Sequence, residues 1–160
     1  MEIRKATRDD ISLLVRMRLA FLQEEFGEEA VGAAAGIRGR MTEYFLRQLD
    51  TGIFAYLADV DGETVSSVYC AVEERPASPT IPTGRTATLL NVFTFPEFRR
   101  QGIATALLQA AIDEARRLGV CSLGLSATPA GRPVYEKIGF RESRYTSMRL
   151  KVEAQGARDG

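Results

Sequence analysis

The sequence predicts an α/β fold with mixed, α+β character: a mixed central β-sheet of six to seven strands flanked by about four helices, in the order β-α-α-β-β-β-α-β-α-β. Three observations predict it. The stretch Gly52–Glu74 holds two apolar runs split by Asp61-Gly62, a strong signal for an antiparallel hairpin. The helix after Gly102 places Ala104, Leu107, Leu108, Ala111, Ile112, Ala115 and Leu118 on one face, with Gln109, Asp113, Arg116 and Arg117 elsewhere. From Ala87 to Thr128 the chain reads strand, glycine turn, helix, strand. Such a crossover joins parallel strands and packs its helix on the sheet.

The elements follow in order. Glu2–Thr7 reads as a first strand, and Thr7 with Asp10 makes a weak capping box for the helix that follows. That helix carries Ile11, Leu14, Val15, Leu19 and Leu22 at helical spacing and stops at Gly27. Gly27–Arg40 is small and glycine-rich without periodicity, so it is expected to be a flexible connection. Met41–Asp50 is expected to be a second helix. After the hairpin, Arg75–Thr86 holds three prolines and reads as a loop. Ala87–Phe95 is a strand ended by Pro96, and Gly119 supplies a left-handed stop for the helix after Gly102. Val120–Thr128 reads as a strand and Ala130–Phe140 as a short helix ended by Gly139. In Tyr145–Val152 a last strand is expected from the alternation of Met148, Leu150 and Val152.

The 160 residues suit one domain over residues 1–152, followed by a polar tail over 153–160. Net charge is zero, which argues against a nucleic-acid partner. No stretch approaches the roughly 18 uninterrupted apolar residues of a membrane span, and the charged "MEIRKATRDD" lacks a signal core. The expectation is a cytoplasmic protein with no membrane partner. The chain has no histidine, which removes histidine-ligated metals and every serine–histidine or cysteine–histidine relay. No metal is expected. Cys70 and Cys121 lie in apolar stretches, outside any CxxC pair, and are expected to be buried free thiols.

Chemistry concentrates at "RRQGIAT", Arg99–Thr105. The first amides of a helix lack partners and point toward its N-terminal end, where the dipole adds positive character. Arg99 and Arg100 crowd more positive charge there, against the usual preference, so an anion is the expected occupant. Gly102 and the small Ala104 leave the backbone accessible. The turn is not a Walker loop, since no lysine follows Gly102, and it is not G-x-G-x-x-G. A basic turn whose glycine serves packing fits the same residues.

Arg99-x-x-Gly102-x-Ala104 resembles the Q/R-x-x-G-x-G/A signature of the GNAT superfamily of acyl-CoA-dependent N-acyltransferases. The strand before it, with Val92-x-Thr94-x-Pro96, and the later "RPVYEKIGF" are also similar to that family. The resemblance is most specific over Leu89–Phe140. It implies acetyl-CoA as acyl donor, with the pyrophosphate held by Arg99, Arg100, Gln101, Gly102, Ile103, Ala104 and Thr105. It implies that the pantetheine arm pairs with the backbone of Val92, Phe93 and Thr94. Tyr135 falls where the family often places a tyrosine as general acid beside the leaving sulfur. A phenol has an ordinary pKa of about 10, close to that of a thiol, which suits that role.

The family's fold puts the region of Glu24, Glu25 and Glu43 at the border of the acceptor site, with Glu25 and Asn91 as candidate substrate contacts. Asn91 could equally bond a neighbouring loop. The segments Gly27–Arg40 and Arg75–Thr86 are expected to shape that site. Two departures stand out: Thr94 replaces a more usual valine, and "SATPAGRP" lacks an asparagine that many relatives carry there. The activity implied is acetyl transfer to a primary amine of a small molecule or protein. The alternative is a catalytically silent acyl-CoA-binding sensor. Many members are dimers, so a homodimer is also an open expectation.

Overall fold

The computed structural model describes residues 1–155. It divides into two compact units, one spanning Met1–Leu125 and the other starting at Ser126.

The first unit runs β1 (Glu2–Lys5), α1 (Ile11–Phe26), α2 (Glu28–Ala33), α3 (Ile37–Gln48), β2 (Ile53–Val60), β3 (Glu63–Glu74), β4 (Arg85–Thr94), α4 (Ile103–Arg117) and β5 (Ser122–Gly124). The sheet order is β1-β2-β3-β4-β5, antiparallel up to β4 and parallel between β4 and β5. The parallel pair is the predicted crossover, and the hairpin at Asp61-Gly62 joins β2 to β3 with both residues at positive φ, as its tight turn requires.

Pleating divides the sheet's apolar residues between two faces. Ile53, Ala55, Leu57 and Tyr69 pack with Leu14, Val15 and Met17 of α1 and Phe45 of α3. Phe54, Val68 and Cys70 alternate to the opposite face. There Leu107, Leu108 and Ala111 of α4 are buried, and Lys5 joins Glu114 of α4 while its ammonium lies 5.6 Å from the Phe54 ring. The expected capping box is present: Asp10 accepts from the Thr7 amide at 2.8 Å.

Several expectations are corrected. Gly27–Arg40 is not an irregular connection, because most of it is helical in α2 and the first turn of α3. Its glycines break the apolar period, yet α2 and α3 pack on α1, and tertiary packing outweighs weak propensity. Val120–Thr128 narrows to the three residues of β5. Cys121 is exposed, and only Cys70 is buried.

The second unit contains α5 (Arg132–Ile138), opened by Pro133 in its first turn and closed by Gly139 at φ 125°. Arg132 bonds Glu136 along the helix and Glu142 beyond it at 2.7 Å. The strand expected at Tyr145–Val152 does not form, so among the described residues the sheet has five strands rather than six or seven. Tyr145, Met148, Leu150 and Val152 are all exposed. Alternation specifies side chains suited to a strand, but a strand exists only with a hydrogen-bonding neighbour.

Candidate active site

The turn between β4 and α4 is built from local backbone chemistry. Pro96 ends β4 and opens one 3₁₀ turn over Pro96–Phe98. Arg100 and Gly102 then both take left-handed conformations, at φ 62° and 79°. Gly102 is the N-cap of α4 and offers no side chain to its amides. The Ala106 amide reaches the Gly102 carbonyl at 3.1 Å, which leaves those of Ile103, Ala104 and Thr105 outside the helical ladder. A Cβ on Gly102 would meet nothing within 4 Å, so the space before these amides is open and only the φ angle opposes a side chain.

The two arginines differ. Arg100 is exposed and makes no ion pair among the described residues. Arg99 turns back: its Nε donates to the Thr94 carbonyl at 2.7 Å, its Nη2 meets Glu24 at 2.5 Å, and its guanidinium stacks over Phe93 at 5.9 Å. Arg99 therefore fastens the turn to β4 and to the end of α1.

β4 carries an irregularity that no sequence pattern announces. Pairing with β3 runs Ser67↔Phe93 and then Tyr69↔Leu90, so β4 holds one extra residue there. Asn91 occupies this bulge at φ 52°, a region asparagine tolerates better than most residues. Buried Asn91 donates from Nδ2 to Ser67 Oγ at 3.0 Å, and its Oδ1 accepts from Arg18 at 3.5 Å. It serves as a joint between β3, β4 and α1.

On the other side, β4 pairs with β5 only over Thr86–Thr88. Past Thr88 that edge has no strand partner among the described residues. Val92 lies within it, while the Phe93 carbonyl accepts from Ser66 Oγ at 2.8 Å and the Thr94 carbonyl is the one held by Arg99.

Next to the bulge a cavity of about 300 Å³ is lined by Arg18, Ile37, Arg40, Tyr44, Tyr69 and Leu90 among others. The predicted region Gly27–Arg40 thus contributes to its wall. Tyr69 donates to the Leu14 carbonyl at 2.5 Å, and burial pushes its phenol up. Burial pulls the Arg18 guanidinium down, opposed by the nearby Tyr69, Glu25 and Tyr44. Glu25 is exposed at the end of α1, and Glu43 is exposed on α3. Arg18 was legible in one respect: it stands four residues from both Leu14 and Leu22, a charge within an apolar stripe.

In the second unit, Tyr135 is half-buried on α5 and meets Phe140 edge-on, with ring centroids 6.0 Å apart. A Cβ on Gly131 would lie 3.1 Å from the Tyr135 ring, so the glycine leaves room for it. Burial pushes this phenol up from its ordinary value, which keeps it protonated at neutral pH. Among the described residues no cluster of potential ligands could hold a metal ion, and no helix is long and apolar enough to cross a membrane.

Comparison with known proteins follows the same lines. A predicted acetyltransferase from Clostridium acetobutylicum, crystallised with acetyl-CoA, superposes with a TM-score of 0.81. It is 31% identical over 93% of this chain and 96% of its own. A GCN5-related N-acetyltransferase from Ralstonia eutropha JMP134 shares the fold at a TM-score of 0.77, with 24% identity, 93% of this chain and 97% of its own covered. The [ribosomal protein bS18]-alanine N-acetyltransferase of Escherichia coli K12 is 40% identical over 60 residues, 36% of this chain. The chain spans about two fifths of the length of the curated relatives it matches. The profile of the acetyltransferase (GNAT) family matches residues 14–140, which contain the bulged strand, the basic glycine turn and the Tyr135 helix, and the chain belongs to that family.

Proposed function

We propose that the chain is an N-acetyltransferase that moves an acetyl group from acetyl-CoA to a primary amine, of a small molecule or a protein, by direct attack in a ternary complex. The observation that carries this reading is the Gly102 turn, with open amides at residues 103–105 beside a strand edge left unpaired past Thr88. The residues fit such a donor. Amides at a helix start and the free charge of Arg100 match a diphosphate. The β4 edge at Val92 matches an extended arm carrying its own amides, which adds to a sheet edge as a strand does. The relative crystallised with acetyl-CoA supports the donor, and the bS18-alanine enzymes support an amine as acceptor.

The donor supplies an activated acetyl thioester whose leaving group is a thiolate. The chain's residues divide the remaining work. A β4 amide at the bulge steadies the negative charge that develops on the carbonyl oxygen. Tyr135 gives its phenolic proton to the sulfur as the C–S bond breaks. As the C–N bond forms, the amine's proton leaves to water or to a carboxylate, for which Glu25 is the candidate.

Calorimetric titration with CoA and with ATP tests the site, and thiol release over an amine panel tests the transfer. CoA is expected to bind and ATP to fail. In Gly102→Val, left-handed strain and bulk before the amides are expected to weaken CoA binding by about tenfold or more. Unchanged CoA affinity in that variant overturns the assignment of the turn. Binding without turnover on any amine establishes the silent sensor instead.

A further inference from the structure

Arg18 is an unusual cation in the first unit. Arg4 pairs with Asp10 and Asp59, Arg99 with Glu24, and Arg117 with Glu114. Arg18 is half-buried, and no carboxylate lies within ion-pair distance of it among the described residues. Among the described residues its one polar side-chain contact is the long bond to Asn91, and its guanidinium stands 5.5 Å from the Phe21 ring. A second guanidinium, Arg40, lines the same cavity, donates to the Ala35 carbonyl at 2.7 Å and likewise has no carboxylate partner among the described residues. The wall between them is made of Met41, Tyr44, Phe45 and Leu90, largely apolar with a phenol at its rim.

Holding a half-buried cation without a contacting carboxylate against an apolar wall is costly unless an anion completes it. The planar guanidinium favours carboxylate or phosphate as that anion. A largely apolar wall favours the singly charged carboxylate, because a phosphate dianion costs more to desolvate there. The cavity also adjoins the bulge of β4, where the acyl group is carried in the reading above. A cavity near 300 Å³ is at the small end of ligand sites, enough for one compact organic group.

We propose that this cavity selects the acceptor, taking an amine that bears a carboxylate and an apolar body, with the carboxylate lying between Arg18 and Arg40. The inference rests on acetyl transfer for the amine, but the anion preference can be read by binding alone. The shared chemistry is the carboxylate, which a free amino acid or an acidic residue in the second position of a peptide can each supply.

The test compares phenylalanine with phenylalaninamide, and an alanine–aspartate tetrapeptide with its alanine–asparagine twin. Each is titrated calorimetrically into the full chain with CoA present and assayed by thiol release from acetyl-CoA. At least one pair is expected to favour the carboxylate by about tenfold or more, and the pair that does so identifies its source. Arg18→Gln is expected to reduce the preference to under about threefold with CoA affinity unchanged, and Arg18→Lys to restore part of it. Should Arg18→Gln fail to fold, Arg40→Gln at the exposed rim carries the same expectation. Equal binding within both pairs, or a preference that survives both variants, overturns the proposal. Lack of CoA binding or thiol release overturns the transferase reading separately, because the paired titrations are read without turnover.

Discussion

Glu114→Gln is a sharp test of how this fold is held together. Glu114 lies in the apolar stripe of α4 and is 8% exposed. It accepts from Lys5 Nζ at 2.7 Å and from Arg117 at 2.6 and 2.9 Å, tying α4 to β1. The Arg117 bonds, outweighing burial and reinforced by Lys5, hold its carboxyl down to about 2. Glutamine keeps the shape and loses the charge. Hydrogen bonds to charged groups contribute about 1.5–3 kcal/mol each. Lys5 and Arg117 are partly solvated, so screening brings the expected net loss to about 2 kcal/mol.

The folded value lies below the ordinary 4.5. The contribution is therefore complete above that pH and is lost as pH falls toward about 2. Lys5 shifts upward: partial burial opposes the shift, and Glu114's bond and charge, with Asp50 and Tyr56, outweigh it. Its share is present at neutral pH and is lost only as pH rises past its folded value. With a urea slope of about 2 kcal/mol/M, the variant's midpoint should fall by about 1 M at neutral pH. The difference should shrink to less than half by about pH 3. An unchanged midpoint at neutral pH, or a deficit of equal size at both pH values, refutes the reasoning.

Tyr135→Phe removes only the proposed proton donor and should lower kcat for thiol release by about a hundredfold with CoA affinity intact; a kcat within a factor of two of the parent removes Tyr135 from the mechanism. Asn91→Val places a β-branched residue at φ 52° and breaks the bond to Ser67, so urea denaturation should show a loss of about 2 kcal/mol, and Asn91→Gly a smaller one. Thiol titration of the native protein should find one fast group. The bond from Thr83 lowers the exposed Cys121 thiol, whereas burial pushes Cys70 up to about 12; two equally fast thiols contradict this.

What the sequence determined by itself is local. The hairpin at Asp61-Gly62, the stripe and end glycines of α4, and the basic turn opening at Gly102 depend on residues within a few positions of each other, where φ preference and side-chain period act directly. The order of elements from β2 to α5 and the crossover followed from them. Tertiary structure decided the remainder. Asn91 became a bulge because the β3–β4 register must absorb one extra residue, and no neighbour in sequence says so. Arg99 also fastens the turn, because Thr94 and Glu24 lie within its reach. Charges at Arg18 and Glu114 interrupt apolar stripes, which is visible in sequence. Yet whether such a charge meets a partner, as Glu114 meets Lys5 and Arg117, or faces a cavity, as Arg18 does, depends on residues distant along the chain. The alternation at Met148–Val152 makes the same point in reverse: side-chain period alone forms no strand, because the backbone groups need a neighbour that the local sequence does not contain.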